Sequence, residues 1–388
     1  MDEMRTKRMT EIPGFGIDRV AAAVGEDPDV LRLENLDTDL APPEAALRAT
    51  REAVGQDDAN SWLPFTGKVE LRRAVADQFE ERSGVSVDPD TQVVITCGDG
   101  DAMVDALFVT TDPGDEVILV DPTYAGMINR VRIVGAIPRL VPLRPEEGEW
   151  RLDTDALTGA VTDHTRAIFV ANPGMPTGNH LSDEEWEAIA SICRERDVWL
   201  IYLAWMERIL FDGRPYRHPA SLPDMADRVV HVGCVTMEQR MIGWRIGWVV
   251  SPAELADDAA RAHIYNGLTP GGIAQAGSVA ALQAPPDDLT AAVEEWERRR
   301  NTTLEQLEGL PAVRPAGGWS LLMDVEAMGL TPPDLSAALV DQKVAATPMT
   351  MWGERISPRF IRFVFSNEPV ERLSHLGERL RRAIDQIS

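Results

Sequence analysis

At 388 residues the chain is long enough to bury one large core and a second, smaller one. Hydrophobic residues make up 44% and charged residues 26%, the balance of a folded protein rather than a disordered one. Thirty-eight basic against sixty-three acidic residues give a net charge of −25, a field that repels nucleic acid and anionic membrane and excludes both as expected partners.

Residues 1–13 are charged and carry no apolar signal core, and no stretch reaches the length of a membrane span, so a cytoplasmic protein is expected. Residues 1–30 read as a polar lead into a short helix, and Ala41-Pro42-Pro43 is a turn. Helical periodicity covers 44–54 and, after the Phe65-Thr66-Gly67 turn, 69–82. A β-rich run at 92–96 leads through a turn, Gly98-Asp99-Gly100-Asp101, into a helix over 102–110. A second strand at 116–120 is stopped by Asp121-Pro122. Further apolar strands are predicted at 167–171, 199–203, 229–232 and 246–250, with helices such as 183–196 between them. This alternation predicts an α/β fold whose mostly parallel sheet is covered on both faces. After 284 the composition shifts: Pro285-Pro286 opens a charged helix over 288–307, and a mixed α+β segment runs to 388. The expected organisation is a large domain at 45–284 and a small domain built from 1–44 and 285–388.

Cys97, Cys193 and Cys234 are odd in number and form no Cys-x-x-Cys pair, which fits a reducing compartment and argues against a disulfide framework or a zinc site. His180, His218 and His263 are isolated, and no metal is expected. Lysine occurs only at Lys7, Lys68 and Lys343; the remaining basic charge is arginine.

Several blocks fall in one order across most of the chain. They are Thr66-Gly67 with Leu71-Arg72; Pro113-Gly114-Asp115-Glu116-Val117 followed by Pro122-Thr123-Tyr124; Asn172-Pro173-Gly174-Met175-Pro176-Thr177-Gly178; Gly243-Trp244-Arg245; and Phe360-Ile361-Arg362-Phe363. Together they resemble the class I/II aminotransferases of fold type I, which use pyridoxal phosphate. The resemblance implies an aspartate-aminotransferase-like fold, with a large domain, a smaller α+β domain, and a homodimer whose sites lie at the subunit interface.

Transamination needs a lysine amine that forms an imine with the cofactor and shuttles a proton. The resemblance puts that lysine six residues before the Gly of Gly-Trp-Arg, where this chain has Met237. It puts the carboxylate that holds the pyridine nitrogen at Leu203, the tyrosine that meets the ring oxygen at Met206, the second asparagine of Asn-Pro-x-Asn at Met175, and a phosphate-binding serine at Cys234. Met175, Leu203, Met206 and Met237 would each leave a polar cofactor atom unmet, at roughly 2–7 kcal/mol per group. Methionine more often fills cores, but three independent motifs place these side chains around one pocket.

What the resemblance preserves is Tyr124 as the stacking aromatic, Arg245 as the phosphate arginine and Arg362 as the fork for a substrate carboxylate. Trp62 stands where a neighbouring subunit supplies a tyrosine and is expected to form a pocket wall. Packing for Tyr124 and a structural ion pair for Arg245 are the bland alternatives. The expected protein is an enzyme that works without a cofactor on a small carboxylate-bearing or apolar intermediate, by cyclisation, isomerisation or addition. Its acid–base candidates are Asp99, Asp101, Tyr202 and Glu238. Two alternatives stand beside it: a lysine-less binder of pyridoxal or pyridoxamine phosphate, against which Leu203 weighs, and a non-catalytic subunit paired with an active homologue.

Overall fold

The computed structural model describes residues 6–10, 12 and 16–388. Of the charged N-terminal stretch, residues 1–5, 11 and 13 lie outside the described residues; Lys7–Thr10 is a short helix.

The described strands are β1 (Leu31–Arg32), β2 (Val93–Thr96), β3 (Glu116–Asp121), β4 (Ile137–Glu146), β5 (Glu149–Leu152), β6 (Thr165–Ala171), β7 (Trp199–Leu203), β8 (Val229–Cys234), β9 (Gly247–Val250), β10 (Ala312–Val313), β11 (Ser320–Asp324), β12 (Val344–Ala345), β13 (Thr347–Pro348) and β14 (Phe360–Val364). Eight of them form one sheet in the order β2-β9-β8-β7-β6-β3-β4-β5. From β8 to β4 neighbours run parallel, while β9 is antiparallel to β8 and β2, and β5 to β4. The mostly parallel α/β sheet expected from the alternating pattern is therefore present. Strands β7 and β8 are apolar and buried almost throughout, as a sheet covered on both faces requires.

Local chemistry sets the element ends. Helix Asp183–Arg196 starts in a capping box, with Ser182 and Glu185 each accepting the other's backbone N–H, and stops where Asp197 turns left-handed at φ 53°. Helix Asp99–Thr110 begins three residues earlier than expected, so Asp99 and Asp101 lie in its first turn rather than in a loop. Carboxylates are favourable at a helix N-terminus, which is why two acidic residues among glycines begin a helix here. The β4–β5 hairpin was not expected, because Pro138, Pro142 and Pro145 interrupt its pattern. Along 137–142 the strand pairs only with β3, so half its N–H groups face away from any partner, where proline loses nothing.

A smaller antiparallel sheet, β10-β11-β14-β13, is joined by the parallel pair β1–β12. Leu33 bridges the two: its N–H donates to Ala345, and its carbonyl accepts from Val364. This lays Glu34 against β14. The two sheets meet where the Asp121 carboxylate accepts the N–H groups of Glu354, Arg355, Ile356 and Ser357 at 2.8–3.2 Å. Thr123 N–H donates to Trp352 O at 2.9 Å beside it. No described helix is long and apolar enough to cross a membrane.

Candidate active site

Strand order alone gathers most of the candidate residues. Tyr124 follows β3, Met175 follows β6, Leu203 ends β7 with Met206 just beyond, and Cys234 ends β8 with Thr236 and Met237 after it. These are the carboxyl ends of four neighbouring parallel strands, where open α/β sheets place their ligands. Met175, Leu203, Met206 and Met237 are all buried there.

The Tyr124 ring is already surrounded. Trp205 packs against it with centroids 5.4 Å apart, Trp352 lies at 6.3 Å, and the Arg130 guanidinium sits 5.6 Å from its centre while donating to Gly100 O at 3.1 Å. A third ring held between Tyr124 and Trp205 would need a centroid separation of roughly twice the ~4.5 Å minimum of one aromatic pair.

At the other end of the cleft lies the start of helix Asp99–Thr110. Arg245, in the left-handed region at φ 53°, lays its guanidinium over Gly98; a Cβ there would stand 2.6 Å from Nη2. Gly98 itself has φ 94°, so only glycine suits both demands. Arg245 Nη2 and Thr236 Oγ1 each donate to Asp99 Oδ1 at 3.4 Å. A helix N-terminus, a cation and a hydroxyl converge as for an anion, and the chain's own carboxylate takes that place.

Arg362, on β14, is fully buried. One Nη2 proton goes to the carbonyl of Glu34, and the guanidinium lies over the Trp352 ring at 4.5 Å. Its Nε and Nη1 have no hydrogen-bond partner among the described residues, nor has Oε2 of the buried Glu34. Burial lowers the Arg362 pKa to about 9, against the opposing influence of Glu34 and Tyr124.

The other candidates stand elsewhere. Tyr202 lies in the core, its ring against Trp186, His218 and His231 and its hydroxyl on Asn172 O at 3.3 Å. Burial raises its pKa well above the usual tyrosine value, so the structure does not supply it as an acid or base in the cleft. Glu238 is buried on Arg82 at 2.7 Å and accepts the Arg208 N–H at 2.9 Å; its carboxylate is committed to that network. Asp101 stays at the rim, its pKa raised by burial and by Asp105. Trp62 is exposed, with Phe65 edge-on at 5.2 Å. Lys68 pairs with Asp58 at 2.6 Å and Lys343 with Asp27, while the side chain of Lys7 lies outside the described residues. The sequence reading missed Trp205, Trp352, Arg130 and Glu34. Only Trp205 carried a signal, lying between Leu203 and Met206, two positions that the resemblance singles out.

The mostly parallel sheet, with a smaller sheet beside it, defines an α/β protein of the aspartate-aminotransferase-like class. The sequence matches the aminotransferase class I and II family over residues 28–380, and the chain belongs to that family. It is 33% identical to arginine–pyruvate transaminase AruH of Pseudomonas aeruginosa over 330 residues, 84% of this chain and 82% of that one. Among solved structures it is similar to N-succinyldiaminopimelate aminotransferase from Mycobacterium tuberculosis, with a TM-score of 0.91 and 28% identity over 98% of this chain and 99% of the other. A Thermus thermophilus aspartate aminotransferase mutant matches with a TM-score of 0.90 and 29% identity over 98% and 99%.

These relatives correct the expectation of a protein without a cofactor. Aminotransferases 28–33% identical over most of the chain are pyridoxal-phosphate-dependent and point to pyridoxal phosphate. The residues of the cleft do not fit that group in its imine-linked form: a thioether stands at 237, an alkyl chain at 203, Trp205 lies against Tyr124, and Asp99 holds the anion position. No chemical step is derived through it.

Proposed function

We propose that this family member does not transfer amino groups through an imine to its own lysine, and that its cleft binds a small carboxylate-bearing molecule on Arg362. The observation that carries the reading is the Arg362 guanidinium, fully buried with two nitrogens facing no acceptor. Burial lowers its pKa despite the charge of the buried Glu34 nearby, and an incoming carboxylate would meet the fork through two parallel hydrogen bonds. Trp352 and Tyr124 would wall the planar or apolar remainder of the guest. Of the four acid–base candidates, Asp101 at the rim is the one left for proton movement in an isomerisation, cyclisation or addition, since Asp99 is buried on Arg245 and Thr236. The reading keeps a homodimer, with exposed Trp62 turned to the partner, which the native mass tests.

A second reading is favoured by the donors that Arg245, Thr236 and the helix start at Gly98 gather at one anion position. It keeps pyridoxal or pyridoxamine phosphate, held without a covalent bond. One set of measurements separates the two: calorimetry with pyruvate and L-glutamate on the native protein and on Arg362→Leu, and absorbance titration with each phosphate followed by borohydride. Carboxylate binding lost in the variant supports the first reading. A saturable violet band that borohydride does not fix to the chain supports the second. A pyridoxyl group fixed to a lysine, or brisk amino transfer, sinks the first.

A further inference from the structure

Cys97, His263 and Asp105 come together outside the residues used above. Cys97 lies between the end of β2 and Gly98 and is half-exposed; His263 and Asp105 are fully buried. His263 Nδ1 lies 2.8 Å from Asp105 Oδ2, and its Nε2 lies 3.9 Å from Cys97 Sγ. Asn266 Nδ2 donates to the other Asp105 oxygen at 3.5 Å. This is a thiol, a base and a carboxylate that orients the base, in that order, with the thiol at the solvent end. The thiol contact is long for a hydrogen bond, as such contacts often are before a substrate closes them.

Two features of the fold hold the set together. His263 sits in the last turn of helix Ala253–Asn266, where the helix C-terminus favours a cation. Gly267 packs directly on it: a Cβ there would stand 2.7 Å from His263 Cε1 and 3.2 Å from Cys97 Sγ. Its φ of −120° makes no demand for glycine, so close approach is the reason for one here. Cys193 and Cys234, by contrast, are deeply buried and their pKa values are pushed up by burial.

We propose that Cys97, His263 and Asp105 form a second reactive centre, a thiolate–imidazolium pair that adds to the carbonyl carbon of a small electrophile such as an aldehyde. The sulfur lone pair forms the S–C bond and the carbonyl π pair moves to oxygen. That oxygen takes the proton from His263 Nε2, giving a hemithioacetal with no change of oxidation level. Burial works against the imidazolium, but the Asp105 hydrogen bond and Cys97 more than offset it and lift the His263 pKa to about 9. The other charges near the set are Asp101, with Arg130 and Arg245 acting on it in turn.

The test is iodoacetamide alkylation of the native protein, with the site read by peptide mass. Cys97 should react alone, at a rate nearly flat across neutral pH and roughly tenfold above that of a free thiol of pKa ~8.5. Propanal should slow it saturably. His263→Gln should return the rate to the pH dependence of a free thiol, and Asp105→Asn should move it part of the way. Since both variants alter a buried pair, the thiolate absorbance of the unaltered protein against Cys97→Ser gives an independent titration. A Cys97 that stays silent, titrates like a free cysteine or ignores propanal overturns the proposal.

Discussion

Arg82 and Arg362 are both enclosed, with side chains 7% and 0% exposed, yet only the first meets carboxylates. Arg82, at the end of helix Val69–Ser83, reaches Glu207 at 2.6 Å and Glu238 at 2.7 Å, and Tyr216 donates to Glu207 at 2.9 Å. Burial opposes its charge, but Glu238 and Glu207 more than offset that, and its pKa is raised. Arg362 has a carbonyl and an aromatic face, and its pKa falls. A buried cation with matched anions is part of the frame. The lack of them at Arg362 is what supports the proposal that a carboxylate binds there.

The largest effect that could break this comparison is on stability. Arg82→Met strands two buried carboxylates and should cost about 3–5 kcal/mol in urea unfolding. Arg362→Met should cost little or even stabilise, while abolishing carboxylate binding. Equal losses in the two variants would end the distinction. Trp205→Ala should cost about 3–5 kcal/mol and open a ring-sized space beside Tyr124; calorimetry with a planar aromatic acid such as benzoate should show binding gained, and unchanged binding would mean the space collapses.

Acid provides a third, smaller probe. Burial lowers the pKa of His218 to about 4 and, with His218 adding to the effect, that of His231 to about 3. The unfolded chain, with histidines near ~6.5, then binds protons first, so stability is full above that value and falls as pH drops toward about 4. Thermal melts should show the slope, and His231→Gln should flatten it. The smallest effect lies at the alkaline end. Carboxylate affinity should hold up to about pH 9 and then weaken by up to ~10-fold per unit as free Arg362 loses its proton.

How much was legible follows from what each residue depends on. Strand 199–203 and helix 183–196 were read with the ends they have, because periodicity and a capping box are local signals. Strand order carries Tyr124, Leu203 and Met237 to the carboxyl ends of neighbouring strands, whereas Arg362 lies mid-strand on the other sheet. Tyr202 was misjudged because a mid-strand residue, buried on both faces of a covered sheet, has no route to the strand ends where ligands sit. Glu34 and Trp352 were invisible because their closeness to Arg362 comes from β1, β12 and the Asp121 contact, pairings that span hundreds of residues. The β4–β5 hairpin was hidden by prolines that are tolerated because each stretch of β4 has one neighbour, β3 along 137–142 and β5 along 143–146.

Four amide protons on the single Asp121 carboxylate weld the turn after Trp352 to the strand that leads to Tyr124. Those two aromatic walls must then move as one block. Trp205, on the chain that leaves β7, packs against Tyr124 without sharing that anchor.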